Sequence, residues 1–154
     1  MARRRDANRA MSFLEVITVV TILGILGAMA FMKFGHDTIA DIGAQSLARQ
    51  IALDCLQARS RAISTGENHY LLFTLSGPNA TQYAVYRDPV GTDVRVDDIH
   101  AVPSGVTVTP SASQVTFQFT GVASASYTIT VSGPNRSFQV AIVQLSGTAT
   151  VTET

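Results

Sequence analysis

Three histidines, one cysteine and a group of aspartates are the side chains of this 154-residue sequence with the most obvious capacity for chemistry. His36, His69 and His100 stand far apart, and no HExxH, GxSxG or phosphate-loop string accompanies them. Local spacing therefore assembles neither a zinc pair on one helix face, nor an activated nucleophile, nor a phosphate cradle. Asp88, Asp93, Asp97 and Asp98 share one polar stretch. A calcium loop of the EF-hand type needs oxygen ligands at alternating positions and a closing Glu, and neither is present. Cys55 is the only cysteine, which rules out an intramolecular disulfide; in an apolar helical seam it reads as a small buried hydrophobe. The sequence predicts no enzyme, no metal and no cofactor.

The remaining reactive-looking residue is Glu15, which lies in a run that otherwise carries no charge from residue 11 to residue 32. At ~1.5 Å rise per residue such a run crosses a hydrocarbon core of ~30 Å, and helix is the open-chain conformation that satisfies its backbone there. A carboxylate in that setting costs a few kcal/mol or more, so it calls for a partner or a function. Arg3, Arg4, Arg5 and Arg9 against Asp6 give the first ten residues a net +3, and the positive-inside tendency places them in the cytoplasm. A secretory signal would have a shorter apolar region ending at a small-residue cleavage site. A plain single-span anchor accounts for the hydropathy but leaves Glu15 unexplained.

The order small residue, apolar residue, Ser, two apolar residues, Glu and a long apolar run, in Ala10-Met-Ser-Phe-Leu-Glu15, resembles the class III signal of type IV pilins and type II secretion pseudopilins. The resemblance implies cleavage by a prepilin peptidase between Ala10 and Met11, methylation of the new amino terminus at Met11, and a role for Glu15 in assembly. Ala10 stands where most family members have Gly.

Without the first ten residues the chain holds 7 Lys+Arg and 10 Asp+Glu, since 4 and 1 of the 11 of each lie in the leader, a net charge of −3. An acidic domain repels phosphates, which makes nucleic acid a disfavoured partner. About 120 residues follow the apolar run, enough for one modest domain with its own core. Three segments result: a basic leader at 1–10, a transmembrane or filament-core half of a helix at 11–34, and an amphipathic helix half with a periplasmic β domain at 35–154.

From residue 34 to 63 the pattern turns amphipathic. Ala44, Leu47, Ile51, Cys55, Ala58 and Ala62 recur at helical spacing along one stripe, while Ile39, Ile42, Leu53, Leu56 and Ile63 form a looser second apolar surface. One face can cover a sheet and the other a neighbouring subunit, or both can be core. One helix from about residue 12 to 64, stopped by Gly66, is predicted. Ala58-Arg-Ser and Ala62-Ile63 before that glycine resemble the end of the long helix in GspH/FimT-type minor pilins, with Arg59 placed to cap carbonyls at the helix end.

Beyond Gly66, residues 69–75 and 82–87 flank turn material and read as a hairpin, followed after the Asp-rich excursion by strands at 105–109, 114–120, 126–132, 137–145 and 148–152. The expected class is α+β, a long N-terminal helix packed on antiparallel sheet, pilin-like. Phe117-Gln-Phe-Thr-Gly121, Tyr127-Thr-Ile-Thr-Val131 and Gln144-Leu-Ser-Gly147 also resemble the GspH/FimT domain, although the family's Gly-Arg near the end is Gly147-Thr148 here. The resemblance implies a minor pseudopilin of a type II secretion pseudopilus or related pilus machine. It would be single-pass in the bacterial inner membrane with a periplasmic domain, and other pilin subunits would be its partners. A DNA-uptake minor pilin, which would need a basic surface, and an anchored periplasmic protein-binding domain are the other two readings.

Overall fold

The computed structural model describes residues 13–88 and 93–154 of the chain. One helix, α1 (Phe13–Thr65), precedes nine strands. The described chain divides into two units, the first ending at His36 and the second running Asp37–Thr154. From Phe13 to Met32 α1 carries no charge apart from Glu15, and its threonine hydroxyls bond inside the helix, Thr18 Oγ1 to Leu14 O at 2.8 Å and Thr21 Oγ1 to Thr18 O at 2.9 Å. Those two hydroxyls need no outside partner.

In the second unit α1 ends where its sequence supplies a left-handed residue: Gly66 has φ +72 and donates to Ala62 O at 3.0 Å. Ser64 and Thr65 hydroxyls close the end by donating to the Arg61 carbonyl at 3.0 and 2.8 Å. Strands β1 (Asn68–Ser76) and β2 (Asn79–Asp88) form the expected hairpin. The polar excursion after it is not strandless: β3 (Val94–Arg95) and β4 (His100–Ala101) pair with the outer edge of β2. Strands β5 (Thr107–Pro110), β6 (Gln114–Phe117), β7 (Tyr127–Ser132), β8 (Ser137–Ile142) and β9 (Ala149–Glu153) follow.

The sheet order is β6-β1-β2-β5-β7-β8-β9, every pairing antiparallel. β2 and β5 share only the pair Ala80 and Val108, so the sheet is two leaves with one ladder pair between them, and a bridge of Phe117 with Ala123, whose N–H donates to Gln144 O, makes a second link. Alternation puts Val115 and Phe117, Ile129 and Val131, and Phe138, Val140 and Ile142 on the inner side, where they meet Leu71, Phe73 and Tyr83 of the hairpin. The buried stripe of α1 completes this single core. The class expected from the sequence, α+β with a long helix on antiparallel sheet, is the class observed.

Candidate functional site

Along α1 the seam residues Leu47, Ile51, Cys55, Ala58 and Ala62 are buried at 0–4% exposure. Four alanines, Ala44, Ala48, Ala58 and Ala62, have no accessible surface, so the helix backbone lies close to the strands. Burial next to Asp54 pushes the Cys55 thiol far above its ordinary value and leaves it protonated and inert.

Polar contacts along its length fasten the helix to the rest of the domain. Near its start in this unit, Asp41 is buried and accepts from the backbone N–H groups of Asn135 and Arg136 through Oδ1 at 3.0 and 3.2 Å, and from Asn135 Nδ2 through Oδ2 at 3.0 Å. The Asn135 backbone N–H is the main reason its carboxyl stays below the usual carboxylate range. Gly133 permits the approach, because a Cβ there would fall 2.5 Å from Asp41 Oδ1. In the middle, Tyr83 donates its hydroxyl to Asp54 Oδ2 at 2.7 Å, its ring stacks on His100, and His100 Nδ1 lies 2.9 Å from Gln50 Nε2. Burial and the Asp54 carboxylate hold the Tyr83 phenol protonated far above the ordinary tyrosine range.

Toward the end of the helix Arg59 departs from expectation. Its Nε donates to Gly121 O at 2.9 Å, a loop carbonyl 62 residues away. The helix-end carbonyl of Arg61 is already taken by Ser64 and Thr65, which leaves Arg59 free to reach the sheet. Gly147, at φ +60, closes over this contact; a Cβ there would strike Gly121 O and come within 3.0 Å of Arg59 Cδ. The glycine of the Gly147-Thr148 pair thus has a packing reason.

The apolar half of α1 is different in kind. Its large hydrophobic residues from Phe13 to Met32 are 43–81% exposed, and among the described residues nothing lies within 4 Å of a Cβ built at Gly24 or Gly27. Glu15 sits in the first helical turn, exposed, where the helix dipole favours a negative charge. Ala10 and Met11 lie outside the described residues.

Among the described residues no group of three or more His, Cys, Asp or Glu could hold a metal. His69 is buried with Nδ1 3.1 Å from Glu67 O, its hydrogen-bond partner. The fold does bring together what the sequence keeps apart: Arg61, Arg87 and Arg95 line one cavity of about 410 Å³ with His69. Two of these arginines are already paired, Arg61 with Asp97 at 3.4 Å and Arg87 with Glu67 at 3.3 Å.

Residues 47–147 match the family described as type II transport protein GspH. No curated protein matches the chain. Among solved structures, the type IV minor pilin FimU of Pseudomonas aeruginosa (strain PAO1) superposes with a TM-score of 0.58 at 16% identity, over 70% of this chain and 87% of that one. The minor pseudopilin EpsH from the type 2 secretion system of Vibrio cholerae gives 0.55 at 13% identity, over 75% and 95%. At such identities the likeness speaks to the fold alone, and the fold is that of minor pilins and pseudopilins.

Proposed function

The chain belongs to the type II transport protein GspH family, and from that premise we propose that it is a minor pseudopilin, a structural subunit of a type II secretion pseudopilus or a related type IV pilus machine. The observation that carries this reading is the contrast within α1, where a half whose large apolar side chains are exposed among the described residues, with a single acid, precedes a half that is packed. An apolar surface of that extent needs lipid or other helices around it.

The resemblance of Ala10-Met-Ser-Phe-Leu-Glu15 to the class III signal supports an order of events. The leader 1–10 stays in the cytoplasm while the apolar half enters the inner membrane and the domain from residue 37 onward faces the periplasm. A prepilin peptidase cuts between Ala10 and Met11, and the freed Met11 amine is methylated. In a filament of apolar helices the Glu15 carboxylate is tolerable only beside a cation, and the Met11 amino group of an adjacent subunit supplies one. Leader removal then licenses assembly, because the cation does not exist before it. A DNA-uptake role is less well supported, since Thr148 stands where an arginine would be needed and two of the three arginines in the cavity are paired inside the chain.

The test compares wild type with Glu15→Val and Glu15→Gln in a host that has the peptidase and the major subunit. The intact mass should correspond to a chain starting at N-methyl Met11 in all three. Co-purification with the major subunit should fall in both variants. A retained Met1, or undiminished incorporation of both variants, would return the protein to an anchored periplasmic domain.

A further inference from the structure

The side of α1 facing away from the sheet carries its own pattern. From Ile39 to Ile63 eight exposed positions follow one another at intervals of 3, 4, 3, 4, 3, 4 and 3 residues. Five are large and apolar: Ile39, Ile42, Leu53, Leu56 and Ile63, at 70, 59, 64, 38 and 53% exposure. Steps of 3 and 4 in alternation repeat every seven residues, the period at which one helix keeps a seam turned toward a second helix; the seam is separate from the broader stripe that covers the sheet except at Ile63, whose side chain lies against the Gly121 loop.

The other three positions are Ser46, Ser60 and Arg49. A groove of about 440 Å³ opens between Ile42 and Leu53, and Arg49 lines it together with Gln50 and Asp54. Gln50 is engaged with His100 and Asp54 with Tyr83, whereas Arg49 has no ion pair among the described residues. The seam therefore carries one uncommitted charge at its centre.

Subunits that enter a membrane through the same apolar segment lie parallel; this inference rests on that reading of the chain. Two copies joined in register along the seam would set Arg49 against Arg49 in a contact that excludes water. A carboxylate opposite would instead satisfy it, as charged seam positions do when they select helix partners. We propose that this seam docks the helix of a different filament subunit. That helix would present apolar side chains at the same spacing and a carboxylate opposite Arg49, which rejects a second copy of this chain.

The seam chemistry can be read with this protein alone. Differently tagged full-length chains carrying Ser60→Cys are co-expressed in a host without other pilin genes, and membranes are treated with a short bismaleimide. Cys55 is buried and stays silent. The Arg49 chain paired with the Arg49→Glu variant should crosslink about tenfold more than either chain paired with itself. Equal crosslinking of the Arg49 chain with itself would show that the seam accepts a second copy. Absence of crosslinking in all three pairings would show that it does not join parallel helices; either result overturns the proposal. The readout depends on neither leader removal nor incorporation into a filament, so its failure is distinct from failure of the Glu15 tests.

Discussion

The two halves of α1 share one conformation and solve opposite problems. Up to Met32 the helix is uncharged apart from Glu15 and its large apolar side chains stay exposed among the described residues, while from Ala40 to Ala62 it buries a stripe of small and aliphatic residues against the sheet. The first half owes its helix to backbone hydrogen bonds that a lipid or helical environment would enforce. The second owes its place to side-chain packing. Substitutions of the same kind should therefore have unlike effects in the two halves.

The widest gap is expected between Ile51→Ala and Ile25→Ala. Ile51 is fully buried, and its truncation should cost about 2–5 kcal/mol in chemical denaturation of the full chain in detergent. Ile25, at 57% exposure, should leave that transition within about 0.5 kcal/mol. Similar losses at both sites would mean that the apolar half is packed within the chain after all. Next comes Gly147→Ala, where a positive φ and the crowding by Gly121 O and Arg59 Cδ act together; a loss of about 1–3 kcal/mol in the same melt is expected. A neutral result would remove the packing reason for that glycine.

Asp41→Asn should have a smaller effect with a pH signature. The folded carboxyl titrates below its ordinary value of 3.8, so its contribution is present above that value and is lost as the pH falls through the depressed folded value. The Tm difference between wild type and variant should be full at pH 7 and close below about pH 4. A gap independent of pH would assign the effect to shape rather than charge. Smallest of all, Leu53→Ala should change stability by less than about 0.5 kcal/mol, since Leu53 projects from the face away from the core. A larger loss would fold that face back into the domain's own packing.

The parts of this architecture that were readable in the sequence are those written in local periodicity. The spacing of Ala44, Leu47, Ile51, Cys55, Ala58 and Ala62 marks a helical stripe, and the alternation in Tyr127-Thr-Ile-Thr-Val131 marks a strand, because each pattern repeats within a few residues. Strand ends were less legible. β6 stops at Phe117 where Gly121, at φ +84, donates back to Gln118 O at 2.8 Å, and β8 stops at Ile142 where Gly147 N turns back to Val143 O at 2.8 Å. Both strands had been expected to run about three residues further, since side-chain alternation says nothing about where a ladder partner leaves. The contacts of Asp41 with Asn135, 94 residues apart, and of Arg59 with Gly121 join segments that only the finished sheet makes neighbours. No local pattern encodes such pairs. β3 and β4 were hidden for another reason: two-residue strands in an Asp-rich stretch exist because the β2 edge offers them partners, not because of their own propensity.

The joint between the two leaves of the sheet bears on how the domain would carry load. Among the described residues Ala80 and Val108 are the only pair between β2 and β5, and the other backbone link between the leaves runs through Ala123 and Ser124, which donate to Gln144 O and Thr116 O, so few backbone bonds share the tension between the leaves. It passes through the interdigitated side chains beneath, Ile51 and Cys55 of the helix with Tyr83 on one leaf and Ile129 on the other. Within each leaf ladder bonds hold neighbouring strands directly, whereas between the leaves packed side chains make most of the contact.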